Sequence, residues 1–254
     1  MPTTNTQSGT RIDEIAAGIY RISTPVPPNP ALPTGFSFNQ YLIVDDEPLL
    51  FHAGLRRMFP LTRDAVASVM PVAKLKWVSF SHFEADECGS LAEWLAAAPQ
   101  AAPLCGRIGA MLSIQDVAER PPRVLADGDV IEIGTKRLRW FDTPHLPHGW
   151  DAGYLAESTT RTLFCGDLFT QPGAASDAVT AGDILGPSEA MRAAMEYYSN
   201  PTAAGPAIER LAATEPALLA CMHGSAYRGD GAAALRALAV ALSGQAKSAS
   251  PVRR

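Results

Sequence analysis

Apolar and polar positions along the chain fall into short runs whose period changes several times. Apolar, β-rich runs occupy 18–23, 38–44 and 48–51. The last two flank Asp45-Asp46-Glu47, a turn signal that predicts a hairpin. Val66, Val69 and Met70 recur at helical spacing and predict a helix over 61–70. A β-rich run at 75–80 follows, then a helix over 91–98, a short strand at Leu104 and a helix over 108–117, before Pro121-Pro122 breaks the pattern. Runs at 130–133 and 137–141 around Gly134 predict a second hairpin, and 154–156 with 163–165 a third. The last third is helical at 188–198, 204–213 and 232–242, interrupted by the apolar run 217–222. Strand hairpins in each half, each followed by helices, predict an α+β fold of two packed sheets with helices outside.

Residues 1–11 read as a frayed arm and 243–254 as a small-polar, basic tail, leaving 12–242 as a single domain. With 47% hydrophobic residues in 254, the chain can bury a sizeable core. The net charge is −5 and no basic patch stands out, which argues against a nucleic-acid binder. No apolar run approaches the roughly 18 residues of a membrane helix, and 1–11 lacks the apolar stretch of a secretory signal. The four cysteines are widely spaced without a CxxC pair, as expected of reduced thiols in the cytoplasm.

The chemistry concentrates where strands end. The run at 75–80 leads into Ser81-His82-Phe83-Glu84-Ala85-Asp86, and 138–141 leads into Asp142-Thr143-Pro144-His145-Leu146-Pro147-His148. Likewise 163–166 leads into Asp167, and 218–222 into His223-Gly224. Loops at the ends of a rigid sheet are common places for active sites. In an extended stretch His82-x-Glu84-x-Asp86 would put all three side chains on one side. Imidazole mixed with hard oxygen donors suits iron, manganese or zinc. With His148, Asp167 and His223 the set reaches three imidazoles and three carboxylates, enough for two metal ions sharing one carboxylate. Without cations, three converging carboxylates would repel one another and raise their own pKa values.

These residues resemble the metallo-β-lactamase superfamily, and within it the diiron domain of flavodiiron proteins and the stand-alone oxygen-binding diiron proteins. That group reads His-x-Glu-x-Asp, then a His, an Asp about eighteen residues later and a final His-Gly. Here eighteen residues separate His148 from Asp167, and this spacing selects His148 over His145 as the ligand. Glu196-Tyr197-Tyr198-Ser199-Asn200 and Cys221-Met222-His223-Gly224-Ser225-Ala226-Tyr227 are similar to the same group's downstream stretch. The resemblance implies an αββα sandwich of two mixed β-sheets flanked by helices. It implies two iron ions, one on His82, Glu84 and His148, the other on Asp86 and His223, with Asp167 bridging. It further implies binding and reduction of O2 or NO and a homodimer. Full-length members of the group carry a flavodoxin-like domain that feeds electrons, and this chain is expected to lack one, to bind no flavin and to need an external electron donor.

Tyr198 is the candidate to steady a bound oxygen species, and His145 a hydrogen-bonding neighbour of the ligands. Phe83, Leu146 and Trp150 are candidates to limit water access, and 170–186 a lid or dimer contact. The sequence departs from the superfamily in Glu87, where a His is usual, in His52-Ala53-Gly54, where Asp-x-Gly is general, and in His148-Gly149-Trp150-Asp151. His52 reads as structural, and Cys165 and Cys221 as core fillers. The competing reading on the same fold is a zinc- or manganese-dependent hydrolase of an ester, thioester, lactone or phosphodiester. A third is a sensor that binds O2 without turnover.

Overall fold

The computed structural model describes residues 3–30 and 32–244. Strands β1 (Thr3–Asn5), β2 (Thr10–Ala16), β3 (Ile19–Val26), β4 (Phe36–Ile43) and β5 (Leu49–Phe51) pair antiparallel in chain order. Strands β6 (Trp77–Ser79), β7 (Ala102–Gly106) and β8 (Arg123–Leu125) then add in parallel. Each parallel step needs a crossover. Helix α1 (Phe59–Ala67) makes the first, and α2 (Ala85–Cys88) with α3 (Leu91–Ala97) the second. A broken helix makes the third: α4 (Arg107–Gly109), a π-helical turn at Ala110–Ile114 and α5 (Gln115–Val117).

The second sheet starts as an antiparallel meander, β9 (Val130–Glu132), β10 (Arg137–Asp142), β11 (Gly153–Glu157) and β12 (Thr162–Phe164). Strands β13 (Val179–Thr180), β14 (Leu218–Ala220) and β15 (Ala226–Arg228) complete the order β13-β15-β14-β12-β11-β10-β9, with β14 parallel to β12. Helices α6 (Leu185–Met195), α7 (Gly205–Ala212) and α8 (Gly231–Gly244) lie on its outer side.

Period-two alternation assigns the faces. Tyr41 and Ile43 of β4 join Phe51 and Leu104 against Trp140, Leu155 and Phe164 between the sheets, while Leu42 points outward to Val66 and Trp94. Leu163 and Leu219 meet Ile208, Leu211 and Leu235 on the far side. Each fully buried Leu or Phe contributes about 1.5–3 kcal/mol, so three apolar layers hold the αββα sandwich together.

The expected hairpin around 45–47 forms, with Tyr41 opposite Phe51. Two expectations need revision. The stretch 1–11 contains an edge strand, because Asn5 Oδ1 accepts the N–H groups of Gln7 and Ser8 at 3.1 and 2.9 Å and folds the chain back onto β2. The helix expected over 188–198 starts earlier and stops sooner. Asp183 Oδ1 accepts the Leu185 and Gly186 N–H groups at 2.9 and 3.0 Å, and Glu196 ends the helix in a left-handed conformation at φ 50. Tyr197 and Tyr198 therefore lie beyond it. The segment 170–186 carries β13 and the first turn of α6. The tail expected over 243–254 lies outside the described residues after Gly244. Among the described residues no helix is long and apolar enough to cross a membrane.

Candidate metal centre

Four loops converge at one edge of the sandwich, following β6, β10, β12 and β14. Strands β6, β12 and β14 are buried throughout and β10 buries alternate positions, so the side chains at their ends are carried on rigid supports. After β6, Glu84 is extended (φ −136, ψ 159) and lies beside His82. The extension stops there, since α2 begins at Ala85 and Asp86 sits in its first turn. The all-extended arrangement expected for 82–86 is thus replaced by a strand end followed by a helical turn, which aims Asp86 at a different neighbour.

One group joins His82, Glu84, His148 and Asp167, with one donor atom from each lying within 4.8 Å of the others, close enough to hold an ion. His82 Nε2 lies 2.8 Å from Glu84 Oε2 and 2.9 Å from His148 Nε2, which is itself 3.1 Å from Glu84 Oε2. Asp167 Oδ2 faces the two imidazoles at 3.7 and 3.6 Å. Its other oxygen, Oδ1, faces His223 Nε2 at 3.2 Å, and Asp86 Oδ2 approaches the same nitrogen at 3.4 Å. All six predicted donors therefore meet, with Asp167 between two sets.

The imidazoles are oriented from behind. His148 Nδ1 donates to the Tyr197 carbonyl and His223 Nδ1 to the Ser37 carbonyl, both at 2.9 Å. A carbonyl can only accept, so each Nε2 is left to present its lone pair to the centre. The Tyr197 bond depends on the left-handed turn at Glu196 that takes Tyr197 out of the helix.

The sequence reading left Glu87 without a role, and the structure places it behind His82. Its buried carboxylate accepts the N–H groups of Ser81 and His82 at 2.8 Å each and the Ser81 hydroxyl at 2.5 Å. His82 Nδ1 lies 3.3 Å away, and His52 Nε2 lies 3.4 Å away on the other side. His52 is fully buried at positive φ (68°), consistent with its structural reading. The available signal was Glu87 itself, a carboxylate where a histidine is usual.

The carboxylates and imidazoles of the cluster shift one another's proton affinities. Burial works to lower the His82 pKa, but Glu87, Glu84 and Asp167 outweigh it and push it up to about 12. His148 and His223 are raised in the same way, against burial, chiefly by Glu84 and Asp167 respectively. Hydrogen bonds from His148 and His82 hold Glu84 well below the usual carboxylate range. Burial would raise Glu87, yet His52, His82 and Ser81 hold it low. Burial pushes Asp86 up to about 7 despite His223.

His145 and Tyr198, expected beside the donors, are not joined to them. His145 is exposed at positive φ (66°), its backbone N–H spent on the Gly149 carbonyl at 2.7 Å; no hydrogen bond or ion pair links its ring to the six among the described residues. Tyr198 is buried against Tyr197, and its hydroxyl lacks a hydrogen-bond partner. Of the expected apolar shield only Leu146 is buried. Phe83 and Trp150 are 42% and 63% exposed and stand at the rim, so the Glu84 side opens to solvent. Cys165 and Cys221 are fully buried core side chains, as expected.

Comparison with known proteins agrees with this fold. The chain is 27% identical over 206 residues to the rubredoxin-oxygen oxidoreductase of Megalodesulfovibrio gigas, covering 78% of this chain and 50% of that protein. It is 27% identical over 170 residues to the anaerobic nitric oxide reductase flavorubredoxin of Salmonella arizonae, covering 65% of this chain and 35% of that one. The chain thus spans half or less of the length of these relatives. The solved rubredoxin oxygen:oxidoreductase of Desulfovibrio gigas superposes with a TM-score of 0.79 at 20% identity, covering 91% of this chain and 61% of that chain, a likeness of fold. The family model described as ODP family beta lactamase matches residues 36–224, a span that contains all six converging side chains. The chain belongs to the ODP beta-lactamase family.

Proposed function

We propose that this chain is a non-haem diiron protein that binds O2 or NO at the six-residue centre and reduces it when an external donor supplies electrons. The observation that supports it best is the placement of Asp167, whose two oxygens face two separate donor sets. The donor chemistry fits a pair of cations. With its Nδ1 proton on Ser37, His223 presents Nε2 to two carboxylate oxygens, and Asp167 Oδ1 has no hydrogen-bond partner. Acceptors facing acceptors call for a proton or a metal ion between them.

In this reading His82, Glu84 and His148 would hold one iron, Asp86 and His223 the other, and Asp167 would be shared. The ions would supply the redox chemistry for a diatomic molecule. The chain's own residues do the rest. Tyr197 and Ser37 carbonyls keep the imidazoles in the ligating tautomer, and Glu87 steadies His82. The solvent-facing side at Glu84, between Phe83 and Trp150, admits the small molecule. Three anionic oxygen ligands favour the oxidised state of the metal. The relatives named for oxygen and nitric oxide chemistry support the choice of substrate class. A homodimer and a reducing, cytoplasmic setting belong to the same proposal, and the four free, buried thiols accord with the latter.

The test is anaerobic loading with ferrous iron followed by exposure to O2. A charge-transfer absorption band is expected. A colourless, unreactive iron-loaded protein would overturn the proposal, as would zinc-dependent esterase turnover without any oxygen chemistry.

A further inference from the structure

Arg21 is fully buried in the first sheet, on β3, opposite Asp13 of β2 and Tyr41 of β4. A guanidinium in such a place is costly unless its donors are used, and burial lowers its pKa. Its Nη2 donates to the Gly224 carbonyl at 2.7 Å and to Ser176 Oγ at 2.8 Å. Gly224 directly follows His223.

The whole 221–225 turn is gripped by the opposite sheet. Tyr41 Oη donates to the Cys221 carbonyl at 2.5 Å, and Asn39 Nδ2 to the Cys221 and Gly224 carbonyls at 2.9 and 2.8 Å. Ser37 Oγ accepts the Gly224 N–H at 3.0 Å, and the Ser37 carbonyl takes the His223 Nδ1 proton at 2.9 Å. Gly224 itself stands at φ 87, and a Cβ there would meet Gln171 at 2.5 Å, so the turn has one way to sit. Every other side chain in this grip is neutral. Packing does not require a cation, because apolar side chains of similar volume commonly replace buried charges at no loss of stability.

We propose that Arg21 is a positioning residue for the second metal ion. Its buried cation fixes the Gly224 carbonyl, and through it the His223 ring, so it sets the affinity of the Asp86–His223–Asp167 lobe relative to the His82–Glu84–His148 lobe. The inference rests on the two-ion reading above.

The experiment titrates the metal-free full chain with Zn2+ against a chromophoric chelator, in wild type, Arg21→Met and Arg21→Lys. Wild type should take up two ions. Arg21→Met should keep the first and bind the second about 10- to 100-fold more weakly, the range typical of residues that orient a ligand. Arg21→Lys should fall between them, and the His223 ring signals in NMR spectra should shift in Arg21→Met. A packing role would lower both affinities together. Two ions with unchanged second-site affinity in Arg21→Met would overturn the role of Arg21 and leave the two-ion reading standing. Fewer than two ions in wild type would overturn that reading itself. Should Arg21→Met fail to fold, Arg21→Lys decides, and a second-site affinity equal to wild type would overturn the proposal.

Discussion

Glu87→Gln separates holding the fold from holding a ligand. In the native site Glu87 Oε2 accepts the Ser81 and His82 N–H groups, while Oε1 faces the Ser81 hydroxyl and His82 Nδ1. A glutamine can keep its oxygen at the first position and must then place its amide NH2 at the second. The backbone bonds survive with a neutral acceptor and the Ser81 hydroxyl must turn away from the amide NH2, a loss of about 2–3 kcal/mol. Removing the carboxylate altogether in Glu87→Ala leaves two buried N–H donors without acceptors, about 2–6 kcal/mol, a large part of a typical domain's stability. The amide also reverses the polarity at His82. An NH2 group facing Nδ1 makes that nitrogen the acceptor and moves the proton to Nε2, the atom aimed at the centre. Metal affinity should therefore fall about 10- to 100-fold, equivalent to about 1.4–2.8 kcal/mol. Urea melts of the chelated protein and chelator competition with Zn2+ measure the two effects separately. A Glu87→Gln protein that binds metal as tightly as wild type would refute this account of Glu87.

Other outcomes follow from the same geometry. Asp167→Asn should lower metal content from two ions per chain to one or fewer, read by metal analysis after gel filtration. Chelation should lower the melting temperature, because the carboxylates lose their counter-charges; an indifferent melting curve would count against the centre. His145→Ala should leave metal affinity within about twofold, since its side chain is exposed and no hydrogen bond or ion pair joins its ring to the six among the described residues. In metal-free protein Asp86 and the three ligand histidines hold protons more tightly folded than unfolded, so their contribution is full at low pH and is lost as pH rises through the folded values. Glu84 and Glu87, held low, contribute above the ordinary carboxylate range and lose that contribution on acidification. Metal-free stability should thus peak near pH ~5 and decline toward pH ~8, while the loaded protein gains over the same span as ions displace protons. Urea midpoints at the two pH values check the sign.

The convergence of the six side chains was legible because four apolar runs each lead into a segment with ligand-type residues, and the choice of His148 over His145 came from the family spacing. The sandwich was legible for the same reason, its period-two runs marking strands and its later helical runs the outer layer. What stayed hidden depends on tertiary context. Glu87, adjacent to Asp86, reads locally as a helix-capping acid, and its role exists only because Ser81, His82 and His52 close around it. The Tyr197 carbonyl has no side-chain signature at all. The ends of α6 were misplaced because Asp183 starts the helix early and Glu196 adopts a conformation that hydropathy does not report. The edge strand Thr3–Asn5 is polar, as unprotected edges often are, and polarity alone looks like fraying.

The donors are divided evenly between the layers: His82, Glu84 and Asp86 come from the loop after β6, and His148, Asp167 and His223 from loops of the opposing sheet. Any cation seated among them acts as a rivet through the sandwich, resisting slippage of one layer over the other. Loading should then slow amide deuterium uptake in β6 in unison with the paired strands β12 and β14, although β6 belongs to the other sheet. Opening of the layers and release of the ions would become a single kinetic event.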